Sequence, residues 1–138
     1  MISQEILSFR TNGRGTTNIS KQLNEIVSAS AIKMGIANIF IQHTSASLIL
    51  CENADPTVRR DLEAFMSRVT PDGDPLYQHI DEGPDDMSAH VRTILTDSSL
   101  SIPFRTGQLL LGTWQGIFLW EHRTQPHNRQ IIISLYGE

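Results

Sequence analysis

The sequence predicts an α+β fold, a single compact domain of mostly antiparallel sheet layers with about three helices. Three observations carry this. Apolar residues recur at helical spacing in three separate segments, each opening on a capping or turn residue. The last third of the chain is a succession of β-rich runs parted by glycine or proline, which favours antiparallel neighbours. A length of 138 residues supplies one core and leaves no room for a second domain of ordinary size.

Ile2 to Arg10 reads as an opening strand running into the glycine turn Thr11-Asn12-Gly13-Arg14-Gly15. Ile19, Leu23, Ile26 and Val27 follow at helical spacing, with Asn18 or Ser20 as the expected cap and Gly35 as the expected stop. Ile36 to Gln42 and Ser45 to Cys51 are rich in β-branched and aliphatic residues, predicting two buried strands or one strand bent at His43. Asp55-Pro56 opens the clearest helix, because aspartate suits the N-cap and proline the first helical position; Val58, Leu62, Phe65, Met66 and Val69 are its apolar stripe. Residues 70 to 85 form a long turn-rich loop carrying Tyr77-Gln78-His79. A third helix is expected from about Asp86, with Met87, Val91, Ile94 and Leu95 facing inward and His90 on the flank. Strands then follow over Leu100 to Phe104, Gln108 to Leu111, Thr113 to Glu121 and Gln130 to Tyr136. In the third of these, Trp114, Phe118 and Trp120 share one face and Gln115, Ile117, Leu119 and Glu121 the other. Both faces are largely apolar, so this sheet is expected to be covered on both sides.

A net charge of −4 with scattered basic residues argues against nucleic acid as a partner, since phosphate-backbone affinity needs clustered Lys and Arg. A phosphorylated small molecule is the more suitable anion. Cys51 is the single cysteine, so an internal disulfide is excluded. There is no run of about eighteen apolar residues, and Met1 to Glu5 has no basic stretch leading into an apolar one; a cytoplasmic protein without membrane contact is expected.

Polar residues set within apolar segments or in the long loop are the candidate site: His43, Thr44, Ser45, Glu52, Asn53, Asp55, Asp61, His79, His90, Gln115, Glu121 and Arg129. His43, His79 and His90 suit a divalent metal, because neutral imidazoles bind zinc and three protein ligands leave a fourth position open. Their spacing is not diagnostic, and taken alone it favours three hydrogen-bonded structural histidines. His122 and His127, near the C-terminal turn, read as exposed structural residues. Cys51, at the end of an aliphatic strand, reads as an inert small apolar residue. Asp55 is already accounted for as a cap and Asp61 by helix solvation. Trp114 is either a binding platform or core, and Arg129 either a bidentate phosphate ligand or a solvated rim residue. Ser45 and Ser47 lack the glycine-flanked elbow of a hydrolase nucleophile.

Taken together, His43-Thr44-Ser45-Ala46-Ser47, Glu52-Asn53-Ala54-Asp55-Pro56 with Asp61, Tyr77-x-His79, Ser88-Ala89-His90, Gly107-x-Leu109-x-Leu111-Gly112-Thr113-Trp114-Gln115-Gly116-Ile117 and Glu121 resemble the YjbQ family. The order is kept from about residue 5 to Gly137. After Glu121 the chain departs from the Gly-Pro-Arg or Gly-Gly turn of many relatives. The resemblance implies a homotrimer with sites near subunit boundaries. It also implies a secondary thiamine-phosphate synthase activity, joining hydroxymethylpyrimidine diphosphate to thiazole phosphate with release of pyrophosphate. His43, His79 and His90 would hold a divalent ion, zinc or another transition metal with Mg²⁺ as the alternative. Glu52 or Glu121 would orient the ligand, and Thr44, Ser45, Asn53, Trp114, Gln115 and Arg129 would bind it. The rivals are a module that binds a phosphometabolite or a metal without chemistry, and a metal-dependent phosphoester hydrolase.

Overall fold

The computed structural model describes residues 1–138. The chain forms β1 (Ile2–Arg10), β2 (Gly15–Asn18), α1 (Ser20–Ala29), β3 (Met34–Ile41), β4 (Ala46–Glu52), α2 (Pro56–Val69), α3 (Asp86–Leu95), β5 (Ser99–Arg105), β6 (Gln108–Leu109), β7 (Gln115–Glu121) and β8 (Asn128–Gly137). All strand pairing is antiparallel, in a five-stranded sheet of order β1-β8-β3-β5-β6 and a three-stranded sheet of order β2-β7-β4.

The two sheets face each other across one core, as alternation within strands dictates. Ala37, Ile39, Ile41, Leu100, Ile102, Phe104, Ile131, Ile133 and Leu135 come from the larger sheet. Ala46, Leu48, Ile117 and Leu119 come from the smaller, and α1 adds Leu23 and Val27. The opposite face of the smaller sheet is covered by α2 and α3. Trp120 Nε1 donates to Glu63 of α2 at 2.8 Å, and the Arg59 guanidinium lies 4.6 Å from the Phe118 ring centre. Every residue of β7 from Gly116 to Glu121 is buried, so the expected two-sided cover is present. The outer face of the larger sheet has no such cover, and Ile2, Ile6, Phe40 and Tyr136 stand exposed on it.

Local expectations hold where side chains cap or alternate and fail where tertiary contacts intervene. Asp55 caps α2 by accepting from the Thr57 N–H at 2.9 Å, with Pro56 first in the helix. Residues 42–45 are a corner at which the chain leaves one sheet for the other, so β3 and β4 are two strands and not one bent strand. Gly35 does not stop α1, which ends at Ala29; it pairs within β3, where an added Cβ would collide with the Tyr136 carbonyl. The N-cap of α1 is Ile19, without a side-chain cap, although Asn18 Oδ1 accepts from the Ser20 N–H at 3.0 Å. The short β2 was not anticipated. Trp114 lies in the turn before β7, 64% exposed, and not on its apolar face.

The largest correction concerns α3. Ile94 is 81% and Leu95 54% exposed, whereas Ser88, Ala89, Arg92 and Thr93 are buried. Arg92 decides the orientation. It is fully buried, ion-paired with Glu63 and hydrogen-bonded to Ser67 Oγ at 3.2 Å, so α3 docks against α2 by its polar side.

Gly35→Ala is expected to cost about 1–3 kcal/mol, as overpacking against immobile backbone does; a urea midpoint unchanged from the parent would contradict the close β3–β8 approach.

Candidate functional site

Asp86 and His90 are one helical turn apart on α3, so both project from the same face. The 70–85 loop brings His79 to them. His79 Nε2 is 2.7 Å, and His90 Nε2 3.3 Å, from the same atom, Asp86 Oδ2. One ligand atom from each of the three lies within 4.8 Å of the others. Around them, Arg123 Nη1 is 3.0 Å from Asp86 Oδ1, and the ring nitrogen His90 Nδ1 lies 3.1 Å from the Thr44 carbonyl. The loop is held by the Thr70–Tyr77 hydroxyl pair at 2.9 Å and by Arg14 on Asp72 at 2.7 Å. Asp85 is held by Arg123 and Thr124: burial alone would raise its carboxyl, but their hydrogen bonds bring it down to about 2.

His43 is not in this cluster. It sits on the 42–45 corner, its Nε2 accepting from the Gln130 N–H at 2.8 Å. Burial, then the charge of Arg129, lowers its pKa and favours the neutral ring. Arg129 is 4% exposed and therefore no rim residue. Its Nε donates to Glu121 Oε1 at 2.8 Å, and its Nη2 reaches Glu121 Oε2 and, at 3.0 Å, Ser45 Oγ. Burial would raise the Glu121 carboxyl, yet donors from Arg129 and Thr11 hold it below the usual range.

The remaining candidates are elsewhere. Glu52 Oε2 accepts from the Ala54 and Asp55 N–H groups, Asn53 Nδ2 donates to the Thr113 and Gln115 carbonyls, and Gln115 Oε1 accepts from the Gly112 N–H. These residues, with Trp114, knit the turn at the far end of β4 and β7. In register Ala46 pairs with Glu121 and Glu52 with Gln115. Six residue steps of strand thus set the two groups about 20 Å apart within one chain.

Sequence reasoning missed Asp86, whose i,i+4 relation to His90 was the available signal. It also misplaced His122, which is fully buried beside Trp120 and not exposed. Its Nε2 is 2.7 Å from the Ser47 hydroxyl and its Nδ1 has no partner. Both residues are sealed from solvent, so Ser47 cannot meet a substrate.

The fold and site define a two-sheet α+β domain whose long loop and third helix bring two histidines and a carboxylate together. Residues 5–138 match the family described as UPF0047 protein YjbQ-like, and the chain belongs to that family. It is 47% identical over 135 residues to the UPF0047 protein sll1880 of Synechocystis, covering 98% of this chain and 92% of that one. It is 41% identical over 136 residues to the UPF0047 protein YjbQ of Escherichia coli O157:H7, covering 98% of each. A solved YbjQ-like protein of unknown function from Sulfolobus solfataricus P2, SSO2532, superposes with a TM-score of 0.86 at 26% identity over the whole of both chains. These names correct the expected activity. These relatives are named as UPF0047 proteins or as of unknown function, and none of those names brings a thiamine-phosphate synthase activity to this chain. No helix is long and apolar enough to cross a membrane.

Burial, then the positive charge of Arg92, depresses His122 from the ordinary 6.5 to about 3, so the folded chain keeps it neutral while the unfolded chain protonates it. Stability should therefore fall as pH drops from 6.5 towards 3, by up to about 1.4 kcal/mol per pH unit from this group. Urea unfolding of His122→Asn should show a shallower slope than the parent between about pH 4.5 and 6.5, above the carboxylate range.

Proposed function

We propose that this chain is a divalent transition-metal-binding protein with His79, Asp86 and His90 as its protein ligands. The observation that supports this most is the direction of the His90 ring. Its Nδ1 faces a carbonyl, which can only accept, so the proton of a neutral ring lies on Nδ1 and the Nε2 lone pair faces Asp86 Oδ2 at 3.3 Å. Two acceptors set against each other take a cation between them, either the second proton of an imidazolium or a metal ion, and a carbonyl behind a ligating imidazole is the usual orienting partner of the latter.

Two imidazoles and one carboxylate suit zinc or a related ion better than Mg²⁺, which prefers an all-oxygen shell. When bound, such an ion supplies a Lewis-acidic position for an oxygen of a small ligand, since three protein ligands do not fill its coordination. Arg123 holds Asp86 Oδ1 and leaves Oδ2 to face the site. His43, bonded through Nε2 to the Gln130 backbone, lies outside the ligand set.

After zinc add-back and desalting, elemental analysis should find close to one metal ion per chain. His79→Ala, Asp86→Asn and His90→Ala should each weaken binding about tenfold or more, and His43→Ala should retain it. A metal-free parent, or three variants that load as well as the parent, would overturn the reading.

The uncovered face of the five-stranded sheet favours self-association, as a homotrimer. Its apolar rows Ile2–Tyr136 and Ile6–Ile132–Phe40, exposed except for the half-buried Ile132, flank a polar row, Gln4–Ser134–Asn38, and in a three-fold ring this face would meet a different patch of the neighbouring copy. Phe40, on this face, also borders the cleft beside His43, so a second copy seated there would adjoin that cleft. Light scattering should give a trimeric mass for the parent and a monomeric one for Phe40→Asp; a monomeric parent would remove this part.

A further inference from the structure

Next to the 42–45 corner is a cleft of about 470 Å³ bordered by Phe40, Gln42, His43, Thr44, Ser98 and Arg129. The protonation of His43 follows from its bonds. A ring nitrogen that accepts carries no proton, and Nε2 accepts from the Gln130 N–H at 2.8 Å, so the proton of the neutral ring is on Nδ1. That Nδ1 lies 3.4 Å from Arg129 Nη1. A guanidinium nitrogen can only donate, so this contact opposes two donors and is not a hydrogen bond.

Neither donor has another protein acceptor. Arg129 Nε and Nη2 are taken by Glu121 and Ser45, which leaves Nη1 as the free edge of a guanidinium held rigid by its buried carboxylate. Donors about 3.4 Å apart, both on residues bordering one cleft, match the two-oxygen edge of a carboxylate or phosphate group. Because the pair is preorganised, a ligand would not have to order it.

We propose that this cleft is an oxyanion-binding site in which Arg129 Nη1 and the His43 Nδ1–H donate to oxygens of one phosphate or carboxylate group, with Gln42, Thr44 and Ser98 placed around the remainder of the ligand. The proposal does not depend on a metal at His79, Asp86 and His90.

Nitrogen-15 NMR of the histidine rings, in metal-free buffer, tests it with inorganic phosphate and with acetate as probes. The parent should show His43 as the Nδ1–H tautomer, and a saturable anion-dependent shift of that nitrogen. His43→Phe should bind the anion about tenfold more weakly. A response to phosphate alone would assign the site to phosphate esters, to acetate alone to carboxylates, and to both to oxyanions generally. An Nε2–H tautomer, no shift with either probe, undiminished affinity in His43→Phe, or loss of binding in the His79→Ala/His90→Ala double variant would each overturn it. The double variant also separates this inference from the metal reading, since metal loading fails there while anion binding survives.

Discussion

The ion pair between Arg129 of β8 and Glu121 of β7 is the interaction on which the site side of the molecule depends. It joins the five-stranded sheet to the three-stranded one from within, both side chains almost wholly buried. Desolvating two charges is costly, and the surrounding groups meet that cost: Thr11 Oγ1 donates to Glu121 at 2.7 Å, the Arg123 N–H at 3.2 Å, and Arg129 also reaches the Ser45 carbonyl at 3.2 Å. The same bonds fix where the chain turns between β3 and β4. His43 and Thr44 are therefore placed by a network to which they scarcely contribute, and Thr44 in turn orients His90.

A second buried arginine organises the helical layer. Arg92 brings the polar side of α3 onto α2 through Glu63, and Glu63 is also the acceptor for the Trp120 indole. One carboxylate thus holds both helices and the sheet beneath them. Burying that side turns Ile94 and Leu95 outward and fixes the rotation of α3 that points Asp86 and His90 towards the loop carrying His79.

Much of the fold was legible because its signals are local. Alternation gave the strands, Asp55-Pro56 gave the start of α2, and turn residues gave the long loop. The rotation of α3 was not legible, because periodicity reports which residues are apolar and not which polar residue, here Arg92 opposite Glu63, will find a buried partner. The site was legible in the same proportion. His79 and His90 do meet, but Asp86 stood only as the approximate start of the third helix and His43 as a third metal ligand. The pairing register that separates His43 from Glu52, Asn53, Trp114 and Gln115 is a long-range property no short motif encodes. His122 was read as exposed, and a solvated rim stayed one of two readings of Arg129, because the burial of both comes from strands and helices far earlier in the chain.

That separation has an energetic meaning. β4 and β7 act as a rigid spacer between two sets of polar residues that share no hydrogen-bond partner, and groups so far apart couple weakly. Changes at the Trp114 turn and changes at the Arg129 corner should therefore add in their effects on folding, while changes among Arg129, Glu121, Ser45 and Thr11 should not. Within the chain the two ends are free to vary separately, each constrained only by its own small circuit of bonds.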